Sequence, residues 1–303
     1  MGGAPAKLCV AVPTEGDGYC RPGVAAHERR RGCEWKKIGR QMGRGSFHSG
    51  GLPRRRGFGG GWPPLTVSGW MRSALIACLL EGLESVESVL EVGVGEGAFG
   101  VRLARRYRYV GLELDGRSLA VARERFERAG VGTLVHGDIG ALSRRQTFDL
   151  VFAIEVLEHH EDDVGALRSW RARLRSRGWL ILTVPACPDR YGRWDEKAGH
   201  YRRYARKDLH EALRTAGFEP LSIQAYGYPL GNLLERARNL LAAFLPPRGS
   251  MADRTGASGR LLQPPDRLGW LTQAVGALGS VLQRRSLESE RGIGLVALAR
   301  TSE

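Results

Sequence analysis

The chain has 303 residues and carries a formal charge of +14, from 46 basic against 32 acidic side chains. An apolar fraction of 42% supplies a large core and excludes wholesale disorder. No apolar run in the sequence reaches the roughly 20 residues that a bilayer-spanning helix needs. Cys9, Cys20, Cys33, Cys78 and Cys187 are scattered and never form a CxxC pair. That spacing argues against a disulfide framework or zinc ribbon and for a reducing, cytoplasmic setting.

Much of the charge sits at one end. Residues 1–60 hold 12 basic and 4 acidic side chains with 14 glycines and show neither helical nor strand periodicity. The segment reads as a disordered Gly/Arg-rich tail with no signal-peptide core, either an RNA-binding tail or an upstream extension. The excess sits largely in this tail and leaves only about +6 on the rest of the chain, which argues against nucleic acid as a partner.

Residues 61–303 read as one domain. The stretch "WMRSALIACLLEGL" places Leu75, Leu79 and Leu83 on one helical stripe. A core over 86–226 then alternates strand and helix: strand 89–92, helix 97–106, strand 109–112, helix 117–129, strand 133–135. Strand 148–154, helix 161–175 and strand 179–184 follow, and after them a helix ended by Gly217 and one more strand. Near-continuously apolar strands in such alternation imply an α/β, doubly wound parallel sheet covered on both faces. Residues 227–290 form a helical insertion. Its Leu240, Leu241, Phe244, Trp270 and Leu271 suggest an apolar lid, or a face for weak surface membrane association flanked by Arg236 and Arg238. A final strand spans 292–300.

The segment "VLEVGVGEGAFG" at 89–100 is a strand, a glycine turn and a helix start. Glycines let the backbone pass close to a ligand, and the helix start offers N–H groups. Glu96 and Glu91 put negative charge where a pyrophosphate would lie, so a ligand with an amino group suits this loop better.

These residues, with three later runs, resemble the class I S-adenosylmethionine-dependent methyltransferases, in particular the ubiquinone-biosynthesis O-methyltransferase-like group (methyltransferase type 11/12). The resemblance implies a seven-stranded sheet of order 3-2-1-4-5-7-6 with the last strand antiparallel. It also implies that Glu91, Gly93, Gly95 and Gly97 hold the methionine end of S-adenosyl-L-methionine. In "YVGLELD", Glu113 takes the acidic position that binds the ribose hydroxyls, with Leu114 beside it. In "VHGDIGAL", Asp138 accepts from the adenine amino group and Ile139 packs on its ring. The run "FDLVFAIEVLEH" matches the fourth strand, which carries substrate-facing groups.

Glu155, Glu158 and His159 stand in E-x-x-E-H spacing at that strand's end. Two carboxylates and an imidazole suit a divalent ion such as Mg2+ or Mn2+, and some relatives use such a run with a further histidine, here His200. Without metal, His159 would line the pocket as the catalytic base. Arg202, Arg203 and Arg206, with Tyr201 and Tyr204, form a candidate surface for an anionic or aromatic acceptor. The reading is a cytoplasmic enzyme, a transferase acting on an oxygen of a small-molecule acceptor. RNA 2′-O-methylation and a non-catalytic partner module of the same fold are the alternatives.

Overall fold

The computed structural model describes residues 63–243, 264 and 268–301. The Gly/Arg-rich segment 1–60, Phe244 and the side chain of Leu241 lie outside the described residues. Seven strands form one sheet: β1 (Ser88–Val92), β2 (Arg108–Glu113), β3 (Thr133–His136), β4 (Phe148–Ile154), β5 (Leu174–Pro185), β6 (Phe218–Tyr226) and β7 (Gly294–Thr301). Their order is β3-β2-β1-β4-β5-β7-β6. β1 to β5 pair in parallel, while β7 runs antiparallel to both β5 and β6. This is the doubly wound arrangement that the alternation of elements and the resemblance imply.

The helices are α1 (Val67–Glu81), α2 (Gly100–Ala104), α3 (Gly116–Ala129), α4 (Asp163–Arg171), α5 (Arg193–Ala198), α6 (Arg206–Thr215), α7 (Leu230–Ala243) and α8 (Gly269–Gln283). Every residue of β1 is buried, as are Leu150 to Ala153 of β4 and Leu180 to Leu182 of β5. A strand with both faces covered cannot alternate, which is why these runs are apolar throughout.

Two helices are shorter than their patterns suggest. The 161–175 run is helical only over Asp163–Arg171, because Asp162 accepts from the Gly165 N–H and caps the first turn. Residues from Leu174 already belong to β5, which starts five positions before the apolar run at 179. The glycine turn takes up residues 93–99, so α2 begins at Gly100 rather than 97. The stretch between β5 and α6 contains α5, ended by Gly199 in a left-handed conformation at φ 77°.

Among the described residues of the insertion, several large side chains face outward. α8 lies on α1 through small residues, with Gly276 against Trp70 and Gly279 against Met71. Leu240 and Trp270 are 65% and 70% exposed.

Candidate active site

The glycine turn follows β1 directly. Gly93, Gly95 and Gly97 all adopt positive φ, at 74°, 57° and 76°, and bring the chain back to α2. At Gly95 a side-chain carbon would meet nothing within 4 Å, so the turn has open space above it. Glu113, at the end of β2, reaches across: its Oε2 accepts from the Gly95 N–H at 2.6 Å and its Oε1 from the Asp115 N–H at 2.8 Å. Leu114 beside it is 67% exposed. Asp138 at the end of β3 caps a short turn by accepting from the Gly140 N–H at 2.8 Å, and Ile139 is half-buried next to it. The carboxyl ends of β1, β2 and β3 therefore present Gly95, Glu113, Leu114, Asp138 and Ile139 in sequence, the place where open α/β sheets bind ligands.

Glu91 stands apart from that row. It is 2% exposed, and the Tyr109 hydroxyl donates to its Oε2 at 2.5 Å. Burial pushes its carboxyl up to about 8, against the opposing effect of the Tyr109 bond. Its partner Tyr109 lies on β2, so Glu91 ties β1 to β2 inside the core. Glu96 is bonded to Arg125 at 3.3 Å. Its charge is compensated, so the case against a pyrophosphate does not rest on Glu96. It rests on Glu113, which occupies the Gly95 N–H that a phosphate would use.

The second constellation lies at the end of β4. Val156 packs against the glycine turn, since a side-chain carbon at Gly93 would come within 2.5 Å of its Cγ2. Ligand atoms of Glu158, His159 and His200 all lie within 4.8 Å of one another. Glu158 is fully buried, and neither carboxylate oxygen has a hydrogen-bond partner. Burial, then the nearby Glu155, hold its carboxyl well above the usual range. His159 Nδ1 donates to the Gly199 carbonyl at 3.0 Å, which leaves the ring lone pair on Nε2. Burial, then His200, push the His159 imidazole down to about 4, so it is neutral at ordinary pH.

Glu155 is not drawn into this group. It has a positive φ of 53°, and its Oε1 accepts from Thr183 Oγ1 at 2.9 Å and from the Tyr226 hydroxyl at 3.3 Å. Arg72, from α1, pairs with it at 3.1 Å. The three partners come from α1, β5 and β6, and together they hold the carboxylate beside the cluster.

Several residues of this site carry no local sequence signal. Asp195 in α5 accepts through Oδ1 from His200 Nδ1 at 2.8 Å and from Arg203 Nε at 2.9 Å, and its Oδ2 is ion-paired with Arg203 Nη2 at 2.8 Å. The left-handed Gly199 turns the chain back so that His200 sits over the helix it follows. Arg203 also binds Glu235 at 2.7 Å. Arg203 and Tyr204 are therefore internal. Arg202 pairs with Asp163, Arg206 with Glu290, and the Tyr204 hydroxyl donates to Asp163. Of the five residues read there as an acceptor surface, Tyr201 is the one classed as exposed. The sequence shows the positive charges but not the acids that folding brings to them.

Residues 90–182 match the family described as Methyltransferase domain. They form a methyltransferase domain. An uncharacterized methyltransferase of Mycobacterium tuberculosis is 34% identical over 111 residues, covering 36% of this chain and 56% of that protein. The ubiquinone biosynthesis O-methyltransferase of Methylocella silvestris is 34% identical over 121 residues, covering 39% and 46%. The chain thus spans about half the length of the curated relatives it matches. Among solved structures, a protein assigned as a sarcosine dimethylglycine methyltransferase from Galdieria sulphuraria shares the fold. Its TM-score is 0.50 at 14% identity, over 77% of this chain and 84% of that one. The methyltransferase domain holds Glu91, the glycine turn, Glu113, Asp138 and the E-x-x-E-H run. His200 and Asp195 lie beyond it.

Proposed function

We propose that the chain is an S-adenosylmethionine-dependent methyltransferase that methylates an oxygen of a small-molecule acceptor with the help of a divalent cation. The observation that carries the reading is the buried, unpartnered carboxylate of Glu158 beside two imidazoles, two residues after the Val156 that packs on the glycine turn. A carboxylate withdrawn from water without a partner is costly, and a cation is the group that Glu158, His159 and His200 suit. Two nitrogen donors with one oxygen favour manganese over magnesium, which prefers an all-oxygen shell.

The methyl donor would lie along the ends of β1, β2 and β3, with Gly95 beneath it, Glu113 accepting from the ribose and Ile139 and Leu114 at the adenine. It supplies a methyl group on a sulfonium, already activated for in-line transfer. The cation would lower the pKa of an acceptor hydroxyl. What the chain itself must do is orient the acceptor and receive its proton. With a cation bound, the His159 lone pair on Nε2 would be one of its ligands; without one, that nitrogen, neutral, is suited to take the proton. Support for an oxygen acceptor comes from the ubiquinone O-methyltransferases among the relatives.

Calorimetry with S-adenosylmethionine and a methyl-transfer screen on metabolite extracts test the reading. Chelator should abolish turnover and manganese restore it, with cofactor affinity intact. Full activity in excess chelator removes the cation from the proposal and leaves His159 as a metal-free base, whose substitution by alanine would then be partly rescued at high pH.

A further inference from the structure

The glycine turn is held from one side by α3. Arg125 and Phe126 follow Ala122 by three and four residues, so the three share one face of that helix. This face packs on the turn: a side-chain carbon at Gly97 would come within 3.0 Å of Phe126 and 3.1 Å of Ala122. Arg125 binds the residue before Gly97. Its Nη1 donates to the Glu96 carbonyl at 2.7 Å and lies 3.3 Å from the Glu96 carboxylate. Among the described residues these are its two hydrogen-bonding or ion-pair contacts, and both go to the turn. Arg102 differs. It binds the Ala98 carbonyl, but it also bonds the Pro63 carbonyl and lies over Trp70.

The Arg125 contact falls where the backbone has a choice. The peptide between Glu96 and Gly97 can turn over through ψ of residue 96 and φ of residue 97, and glycine accommodates either result. In the structure Gly97 has φ 76°, its N–H donates to the Val94 carbonyl at 3.0 Å, and the Glu96 carbonyl faces Arg125. The turn itself secures one end of this peptide and Arg125 the other. The two side chains are only 18% and 12% exposed, so the charge-assisted bond is stronger than an ordinary surface contact. Turned over, the peptide would carry its oxygen away from α3 and reshape the turn beside Gly95.

We propose, on the cofactor reading above, that Arg125 is a positioning residue: by holding the Glu96 carbonyl it fixes the part of the turn that receives the methionine end of S-adenosylmethionine. The adenosine end depends on other groups. Neither the bond from Asp115 to Glu113 nor the one from Gly140 to Asp138 involves Arg125.

Two ligands separate the two ends. S-adenosylhomocysteine carries the amino-acid chain, whereas 5′-methylthioadenosine keeps the adenosine and sulfur without it. Calorimetry on Arg125→Met should show S-adenosylhomocysteine bound about tenfold more weakly than by wild type, with 5′-methylthioadenosine within about twofold. Arg125→Gln, a shorter side chain, gives the same comparison if the methionine variant is unstable. Glu96→Gln removes the ion pair and keeps the carbonyl, so both ligands should bind within about twofold of wild type. Equal weakening of both ligands in the Arg125 variants overturns the proposal, because the residue then serves the fold at large. So does unchanged S-adenosylhomocysteine affinity, or a loss in Glu96→Gln that matches Arg125→Met and assigns the effect to the ion pair. A wild type that binds neither ligand removes the cofactor reading itself.

Discussion

His200 Nδ1 donates to Asp195 Oδ1 at 2.8 Å, and Asp195 is in turn held from the other side by Arg203. The guanidinium and the imidazole keep the Asp195 carboxyl down at about 2, against a burial effect that alone would raise it. An ionised acceptor at Nδ1 fixes the His200 proton there and leaves Nε2 directed at Glu158, 3.9 Å from its Oε1. Orientation of a metal-ligating imidazole by a carboxylate is a recurring use of this geometry.

Asp195→Asn should therefore disturb the cluster without removing one of its three members. Oδ1 accepts from His200 Nδ1 and Arg203 Nε and Oδ2 from the Gly192 N–H, so the new amide must turn its NH2 toward either Gly192 or His200. In the second case it favours the other His200 tautomer, with a proton on Nε2 facing Glu158. Manganese affinity, measured by electron paramagnetic resonance on the protein alone, should fall about 10- to 100-fold. S-adenosylmethionine affinity should stay within about twofold, since Asp195 is remote from the glycine turn. Unchanged manganese binding would show that the Asp195 bond serves the fold and not the site.

Strand order and the row of residues at the ends of β1 to β3 were legible because they rest on contiguous runs. Glycines must be where the chain turns, and apolar residues must fill a two-sided sheet. The E-x-x-E-H run was legible as a cluster, but its membership was not. Glu155 and Glu158 are equivalent in spacing, and only Arg72, Thr183 and Tyr226 from three other elements decide which stays beside it. The same holds for Arg203, whose acids Asp195 and Glu235 lie on two separate helices. Pairings of this kind depend on tertiary placement, which no local pattern records. α8 shows the limit most plainly, since its apolar content is evident in sequence whereas its outward orientation follows from two glycines.

Two glycines of the turn separate binding from folding. Gly95→Ala adds a carbon into open space and costs only the left-handed backbone conformation, about 1–2 kcal/mol. Gly93→Ala adds the same backbone cost and drives a carbon to within 2.5 Å of Val156. Thermal melting should show a small loss for the first and a larger one for the second. Calorimetry on Gly95→Ala should show S-adenosylmethionine affinity reduced about tenfold or more, as the carbon enters the ligand's space. Full affinity in that variant would place the ligand elsewhere.

The buried Glu91 makes stability depend on pH in a specific direction. Its folded pKa of about 8 lies above the ordinary value of 4.5, so the folded state keeps a proton that the unfolded chain releases. The contribution is complete below about pH 4.5 and is lost as pH rises toward 8, at up to about 1.4 kcal/mol per pH unit in that window. Glu91→Gln replaces the carboxyl with a neutral isostere that still accepts from Tyr109. Its melting temperature should decline less steeply than wild type between pH 5 and 8, with the largest gain near pH 8. Parallel curves for the two proteins would place the titration in another group.

Glu113 braces the glycine turn, and a further role in reading the ribose can be separated from that by experiment. Its carboxylate braces the loop through Gly95 and Asp115, and each oxygen retains a lone pair for a ribose hydroxyl. Glu113→Ala should weaken S-adenosylhomocysteine binding by about 2–3 kcal/mol, the cost of losing charge-assisted hydrogen bonds. That loss alone could come from a relaxed loop. Pairing the variant with the 2′-deoxy analogue of the ligand resolves the two contributions. Wild type should bind the analogue more weakly than the parent, whereas Glu113→Ala should bind both alike, because the group that reads the missing hydroxyl is gone. If both proteins discriminate equally, Glu113 is a brace for the turn, and the ribose finds its acceptor on another residue.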